Sequence, residues 1–288
     1  MSTPATHGGR SKRGAKRDNC AQTAVAVACM KLAQIQIYAC DRLVISAGPG
    51  RENSSHRHFG AIVTIAPDAP VTLMSRDAGP VVSQAAIVAP NAWHRIDARN
   101  ARTVTVLIGA DHPWFCYLKP LLDGEPIVRL DFATLAGRSI PWEALFEGTC
   151  GCREAQHAAQ TILQAFGGSD APPHELDSRI EEVLQILRDA VTDTPTPDEL
   201  GRRVGLSGYT LMRRFKAELG VRIREYVLWR RLMLALELVD GRTTIAEIAQ
   251  RTGFYDQAHL TRTARRMVEL APSFVNDFSQ TRVHVCRE

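Results

Sequence analysis

Twice in its last third the chain repeats one pattern of helix starts and stops. Thr196-Pro197-Asp198-Glu199 is a capping box with proline at the first helical position, and Thr244-Ile245-Ala246-Glu247 is a second box. Leu200 and Val204 give the first short helix an apolar stripe before Gly205 stops it. Ile245, Ile248 and Ala249 do the same before Gly253. A longer helix follows each time. Ser207 caps a run with Leu211, Phe215 and Leu219 inward at four-residue steps, and Asp256 to Met267 carries Leu260 inward. Arg213 and Arg262 stand at equivalent places 49 residues apart. Ile223 to Val239, between the units, reads as one helix of roughly 26 Å at about 1.5 Å per residue. Short helix, glycine turn and capped second helix make a helix-turn-helix, and two copies on one stiff helix specify an all-α domain.

Charge divides the chain in the same way. The net charge of +4 is unevenly spread: residues 18–197 carry −6, residues 198–282 carry +5, and residues 1–17 hold five basic groups and no acid. An acidic middle beside a basic block points to two domains with different partners, the basic one suited to a polyanion. At 45% hydrophobic and 23% charged residues the chain is neither disordered nor fibrous, and no charge-free apolar run is long enough for a membrane span.

Ahead of the helical third, the periodicity changes. Gln34 to Tyr38, Leu43 to Ser46, Ala61 to Ile65, Val71 to Met74, Ala85 to Val88 and Thr103 to Ile108 are short β-like runs broken by Gly and Pro, the pattern of a small barrel or sandwich. Trp142 to Phe166 and Glu175 to Val191 then read as helices with one apolar face each, to be covered by the barrel or by a second subunit. Gly167 to Pro173 reads as a linker. These runs divide the chain into a disordered basic tail at 1–29, a barrel at 30–120, a helical dimerisation and linker region at 121–173, and a domain at 174–288 that holds both helix-turn-helix units. Ala24 to Met30 faintly resembles a secretory signal, but Asp18 and Asn19 interrupt it, and Met30 is an alternative start. The seven scattered cysteines make no disulfide framework and point to a reducing, cytoplasmic compartment. Cys150-x-Cys152, near His157 and with Cys116 a possible neighbour in space, is a candidate soft-metal or redox pair.

The segments GLSGYTLMRRFKAELG (Gly205 to Gly220), YVLWRRLMLALEL (Tyr226 to Leu238), TIAEIAQRTGF (Thr244 to Phe254) and AHLTRT (Ala258 to Thr263) lie in order over about 80 residues and resemble the DNA-binding domain of AraC/XylS-family transcription regulators. The resemblance implies double-stranded DNA as partner, read by Ser207, Gly208, Tyr209, Met212, Arg213 and Lys216 in the first unit. In the second unit the readers would be Gln257, His259, Thr261, Arg262 and Arg265. Two recognition helices on one stiff helix can enter successive major grooves about 34 Å apart, where arginine pairs with guanine or phosphate. Arg231 is expected to be structural. The second unit departs from the family pattern: Ala264 replaces a core phenylalanine, Glu269 a helix-ending glycine, and Tyr255 a small cap, for which Asp256 can substitute.

The family joins this domain to a regulatory domain that is often cupin-like, so the resemblance implies an α+β chain with an N-terminal cupin-like barrel. Gly50-(x)5-His56-x-His58 looks like the start of a cupin metal motif and His94 like the end of the second, but Ile62 and Val63 stand where a carboxylate should follow. The three histidines suit a divalent metal such as Zn²⁺, Fe²⁺ or Ni²⁺, the lining of a small-molecule pocket, or ordinary strand ends. The expected function is a sequence-specific regulator and not an enzyme: a homodimer sensing a small molecule or metal, meeting RNA polymerase if it activates. The alternatives are a metal-dependent cupin enzyme fused to a DNA-binding domain, and an effector-independent regulator governed by protein partners.

Overall fold

The computed structural model describes residues 34–76, 79–168, 175–268, 272–277 and 279–286. The expectations for the basic tail, for a start at Met30, for most of the linker and for Glu269 fall outside them.

The fold is α+β. Strands β1 (Ile35–Ala39), β2 (Leu43–Pro49), β3 (Ala61–Ile65), β4 (Val71–Ser75), β5 (Val81–Ser83), β6 (Ala85–Val88), β7 (His94–Asp97), β8 (Arg102–Ile108), β9 (Ile127–Leu130) and β10 (Thr281–Val285) form two sheets. The larger runs β10-β1-β2-β8-β3-β6-β9 and the smaller β5-β4-β7. All pairs are antiparallel except β1 with β10. Side chains alternate across the larger sheet. Ile37, Val44, Ile62, Thr64 and Leu107 line an internal cavity, as do Leu73 and Ile96 of the smaller sheet. Behind the larger sheet pack α1 (Trp142–Glu147) and α2 (Cys152–Gly167).

The region read as one helix from Trp142 is thus two, because the chain turns at Gly148, where φ is 69°. In α2, Ala155, Ala158, Ala159, Ile162 and Leu163 are buried, and in α3 (Ser178–Asp189), Ile180, Val183, Leu184 and Leu187 are buried. Both apolar faces are therefore covered within the chain, α3 packing on α5 (Gly208–Leu219). The need for a second subunit to cover them disappears.

The helix-turn-helix domain is built from α4 (Pro197–Arg203), α5, α6 (Ile223–Glu237), α7 (Ile245–Arg251) and α8 (Gln257–Val268). Both capping boxes form, with Thr196 and Glu199 bonding reciprocally and Thr244 and Glu247 likewise. Helix α6 carries buried residues all round, including Tyr226, Val227, Leu228, Trp229, Leu232 and Met233. A helix apolar on every side is covered on every side. One side of α6 meets the helix-turn-helix units and the other meets the barrel, where Trp229 stacks on Phe59 with ring centroids 5.6 Å apart. Arg230 pairs with Asp41 at 2.9 Å.

The C-terminal segment returns to the N-terminal sheet: β10 lies parallel to β1, with Ile35 opposite Thr281 and Ala39 opposite Val285. With β9 on the far edge, the sheet extends past the expected limit of residue 120 and takes in part of 174–288. The return of β10 places Cys286 against the start of α2, where it forms a disulfide with Cys152 at a Cα–Cα distance of 5.4 Å. The scattered cysteines, read as no disulfide framework and a reducing compartment, thus include one bonded pair, for which a contact 134 residues apart leaves no local signal. Among the described residues no helix is long and apolar enough to cross a membrane.

Candidate DNA-binding face and sensor cavity

The outer face of α5 is built by subtraction. Leu211, Phe215 and Leu219 turn into the core, so Tyr209, Met212, Arg213 and Lys216 are left outward, Tyr209 being 74% exposed. Ser207 caps the helix by accepting from the Thr210 amide at 3.2 Å and is itself exposed. Gly208, at the start of the helix, is buried, and a Cβ there would collide with the Asp198 carboxylate. It allows α4 and α5 to approach each other and presents no side chain to a ligand.

The second unit repeats this arrangement. Gly253 turns at φ 76°, as Gly205 does at 67°. Asp256 accepts from the His259 amide at 2.6 Å and so provides the cap that Tyr255 cannot. Tyr255, 92% exposed, joins the outer face. Gln257, Arg262 and Arg265 are exposed, while His259 and Thr261 are half-buried, with His259 edge-on to Phe254. Arg231 donates to the carbonyls of Val191, Thr192 and Gly253, tying the end of α3 to the second turn. Its role is structural.

The inner face of α8 does something the first unit does not. Leu260, Ala264 and Val268, with Leu232, Met233, Leu236, Val239, Ile245 and Ile248 of the same domain, close a cavity of about 470 Å³ whose other wall is the barrel. Ala264 takes the place that Phe215 holds in the first unit, and the missing ring leaves part of this space open. The cavity walls are mainly aliphatic. Its polar lining includes Arg51, Asn53, Thr64, Thr105 and the three histidines. The one carboxylate among the lining residues, Glu52, is paired with Arg95 at 3.0 Å and Arg99 at 3.2 Å.

The sheet brings the histidines together. His56 and His94 form an antiparallel bridge, exchanging backbone hydrogen bonds of 3.0 and 2.9 Å. His58, two residues on, points to the same side as His56. All three are buried, and a ligand atom from each lies within 4.8 Å of the others. Each Nδ1 sits beside a backbone carbonyl: His56 with Ser54 at 2.9 Å, His58 with Met267 at 2.7 Å, and His94 with Ala92 at 3.1 Å. Carbonyls only accept, so each Nδ1 donates and each ring turns its Nε2 to its neighbours. Burial, with the neighbouring rings adding to it, pushes His58 well below the usual imidazole range and His94 down to about 4. Neutral imidazoles with anchored Nδ1–H groups are a donor set for borderline divalent metals.

Cys150 and Cys152 are not a second set. Cys152 is in the disulfide, and burial raises the Cys150 thiol to about 12, away from the thiolate a metal needs. His157 is exposed. What the sequence left unseen is the joint between the halves: the Tyr226 hydroxyl donates to Asp111 at 2.9 Å in the interior. The aromatic excess of α6 was the available signal, but a barrel loop 115 residues away carried none.

Comparison with known proteins agrees with this anatomy. Residues 200–276 match the family described as "Helix-turn-helix domain". The multiple antibiotic resistance protein MarA of Escherichia coli K12 is 29% identical over 94 residues, 32% of this chain and 74% of MarA, as is MarA of Salmonella typhimurium. An apo form of ToxT from Vibrio cholerae shares the fold over 83% of this chain and 98% of its own, with a TM-score of 0.56 at 9% identity. ToxT with a bound unsaturated fatty acid gives 0.54 at 10% identity, over 83% and 96% of the two chains. Residues 200–276, two capped helix-turn-helix units on one linker helix, are thus a helix-turn-helix domain similar to MarA, and with the N-terminal barrel the chain shares the fold of ToxT.

Proposed function

We propose that the chain regulates transcription by reading double-stranded DNA through α5 and α8, and that a small, largely apolar molecule in the shared cavity controls that reading. Arg213, Lys216, Arg262 and Arg265 supply base and phosphate contacts, with Tyr209, Met212 and Tyr255 against methyl groups and sugars. The observation that carries the sensing part is the wall of the cavity, contributed by the barrel on one side and by α6, α7 and α8 on the other. A molecule bound there touches both halves, so it can favour one placement of α8 over another. Aliphatic walls with Arg51 among the lining residues suit an elongated molecule with an acidic head. ToxT, of the same fold, binds an unsaturated fatty acid, and we extend that chemical class to this cavity.

The enzyme reading has less support. Glu52 is tied to two arginines, and no other lining carboxylate could serve as general base. A homodimer, meeting RNA polymerase if it activates, is our expectation from the resemblance. The test is to extract the purified chain for bound small molecules and to titrate it with fatty acids of graded length. Stoichiometric binding that Ala264→Phe abolishes supports the sensor. No uptake by the parent chain, or equal uptake by the variant, contradicts it.

A further inference from the structure

The histidine cluster is joined to the second recognition helix by one hydrogen bond. His58 Nδ1 donates to the carbonyl of Met267, in the last turn of α8, at 2.7 Å across 209 residues of sequence. The last carbonyls of a helix lack intrahelical partners and carry the negative end of its dipole, so a donor there fixes the helix end. The other nitrogen of the same ring faces the cluster, with His56 and His58 Nε2 only 2.7 Å apart. His56 Nδ1 and His58 Nδ1 both turn to backbone carbonyls, so the nitrogens that meet are the two Nε2 atoms, the ones left to face an ion. A cation seated among Nε2 of the three rings would be held by coordination. The closest pair would open by several tenths of an ångström to give each nitrogen a bond of about 2.0–2.1 Å.

We propose that Nε2 of His56, His58 and His94 bind one divalent transition-metal ion of the zinc class, and that the metal-bound His58 clamps the C-terminal end of α8 through Met267. Coordination at Nε2 withdraws electron density from the ring and strengthens Nδ1–H as a donor, so occupancy is transmitted to the carbonyl. The outer face of α8, with Arg262 and Arg265, stays exposed in the clamped position. The metal therefore fixes a reading helix without covering it. Three protein ligands leave coordination positions open toward the cavity that the same histidines line, where the head of a bound molecule can enter. The link to DNA rests on the reading of α8 proposed above, but the site and the clamp do not.

The experiment uses the full chain, stripped with a chelator and re-equilibrated with Zn²⁺ or Co²⁺ alone. Metal is counted after desalting, Co²⁺ coordination is read from its visible absorption, and amide hydrogen exchange is followed over residues 264–268. One ion per chain is expected, with exchange in that segment slowed about fivefold or more on loading. His94→Ala should weaken binding by more than about tenfold and remove the slowing. The parent chain with and without metal decides the clamp even if a variant fails to fold. Less than about one ion per ten chains, or metal retained equally by His94→Ala, overturns the site. One ion bound with exchange over 264–268 unchanged overturns the clamp. All these readings are taken without DNA, so failure to bind DNA would count against the regulator alone.

Discussion

The Tyr226 hydroxyl and the Asp111 carboxylate meet at 2.9 Å in the interior, and they are the polar centre of the joint between linker helix and barrel. Asp111 is raised above the usual carboxylate range by burial, against which the Tyr226 hydrogen bond and the charges of Arg42 and Arg230 act. A raised carboxylate stabilises the fold below its unfolded value and loses that contribution as pH rises through the folded one. Tyr226→Phe removes a bond that favours the ionised form, so it should raise Asp111 further. The variant should lose about 1–3 kcal/mol near neutral pH and less at acid pH, measured by urea unfolding across pH. A loss independent of pH would show that Asp111 is not what the hydroxyl supports.

Ala264→Phe restores the ring that the first unit has at Phe215. It should fill cavity space and either stabilise the second unit slightly or cost up to about 1–3 kcal/mol by overpacking. In both cases it should end uptake of apolar ligands while DNA binding by the first unit persists. Ligand titration and DNA binding on the same preparation check this.

The disulfide closes a long loop between α2 and the C-terminal strand. Reduction, or Cys286→Ser, should lower stability by about 2–4 kcal/mol. Reductant should then have no effect on the serine variant, which melting with and without reductant will show.

Much of the C-terminal half was legible in the sequence because its signals are local. Caps, glycine stops and four-residue apolar steps sit within a dozen residues of the helices they define, so Thr196, Ser207 and Thr244 mark their helices directly. The barrel was legible in its apolar strands, whereas β5 has only three residues and β7 only one apolar side chain, Ile96. The histidines could be named from sequence, but their convergence depends on the bridge between His56 and His94. The cavity, the Cys152–Cys286 bond and the return of β10 depend on contacts far apart in the chain. Ala264 stood out as a departure from the family, and only the barrel behind it gives the missing ring a purpose.

Within the DNA-reading face, Arg213→Ala should cost about 1–3 kcal/mol on a specific site and little on scrambled sequence. Lys216→Ala should weaken both about equally, as a phosphate contact does, and lower the salt dependence. Arg262→Ala should cost less than Arg213→Ala, and more evenly over sequences. A larger, sequence-selective loss at Arg262 would make the second unit the main reader.

The most direct measurement is the affinity of the full chain for genomic fragments that it enriches itself, compared at fixed salt with scrambled duplexes of the same length. The expected result is a shared motif among the fragments, bound at least about a thousandfold more tightly than scrambled DNA, with most of the preference lost in Arg213→Ala. Fragments without a common motif, or equal affinity for scrambled DNA, would contradict the assignment of α5 and α8 as sequence-reading helices.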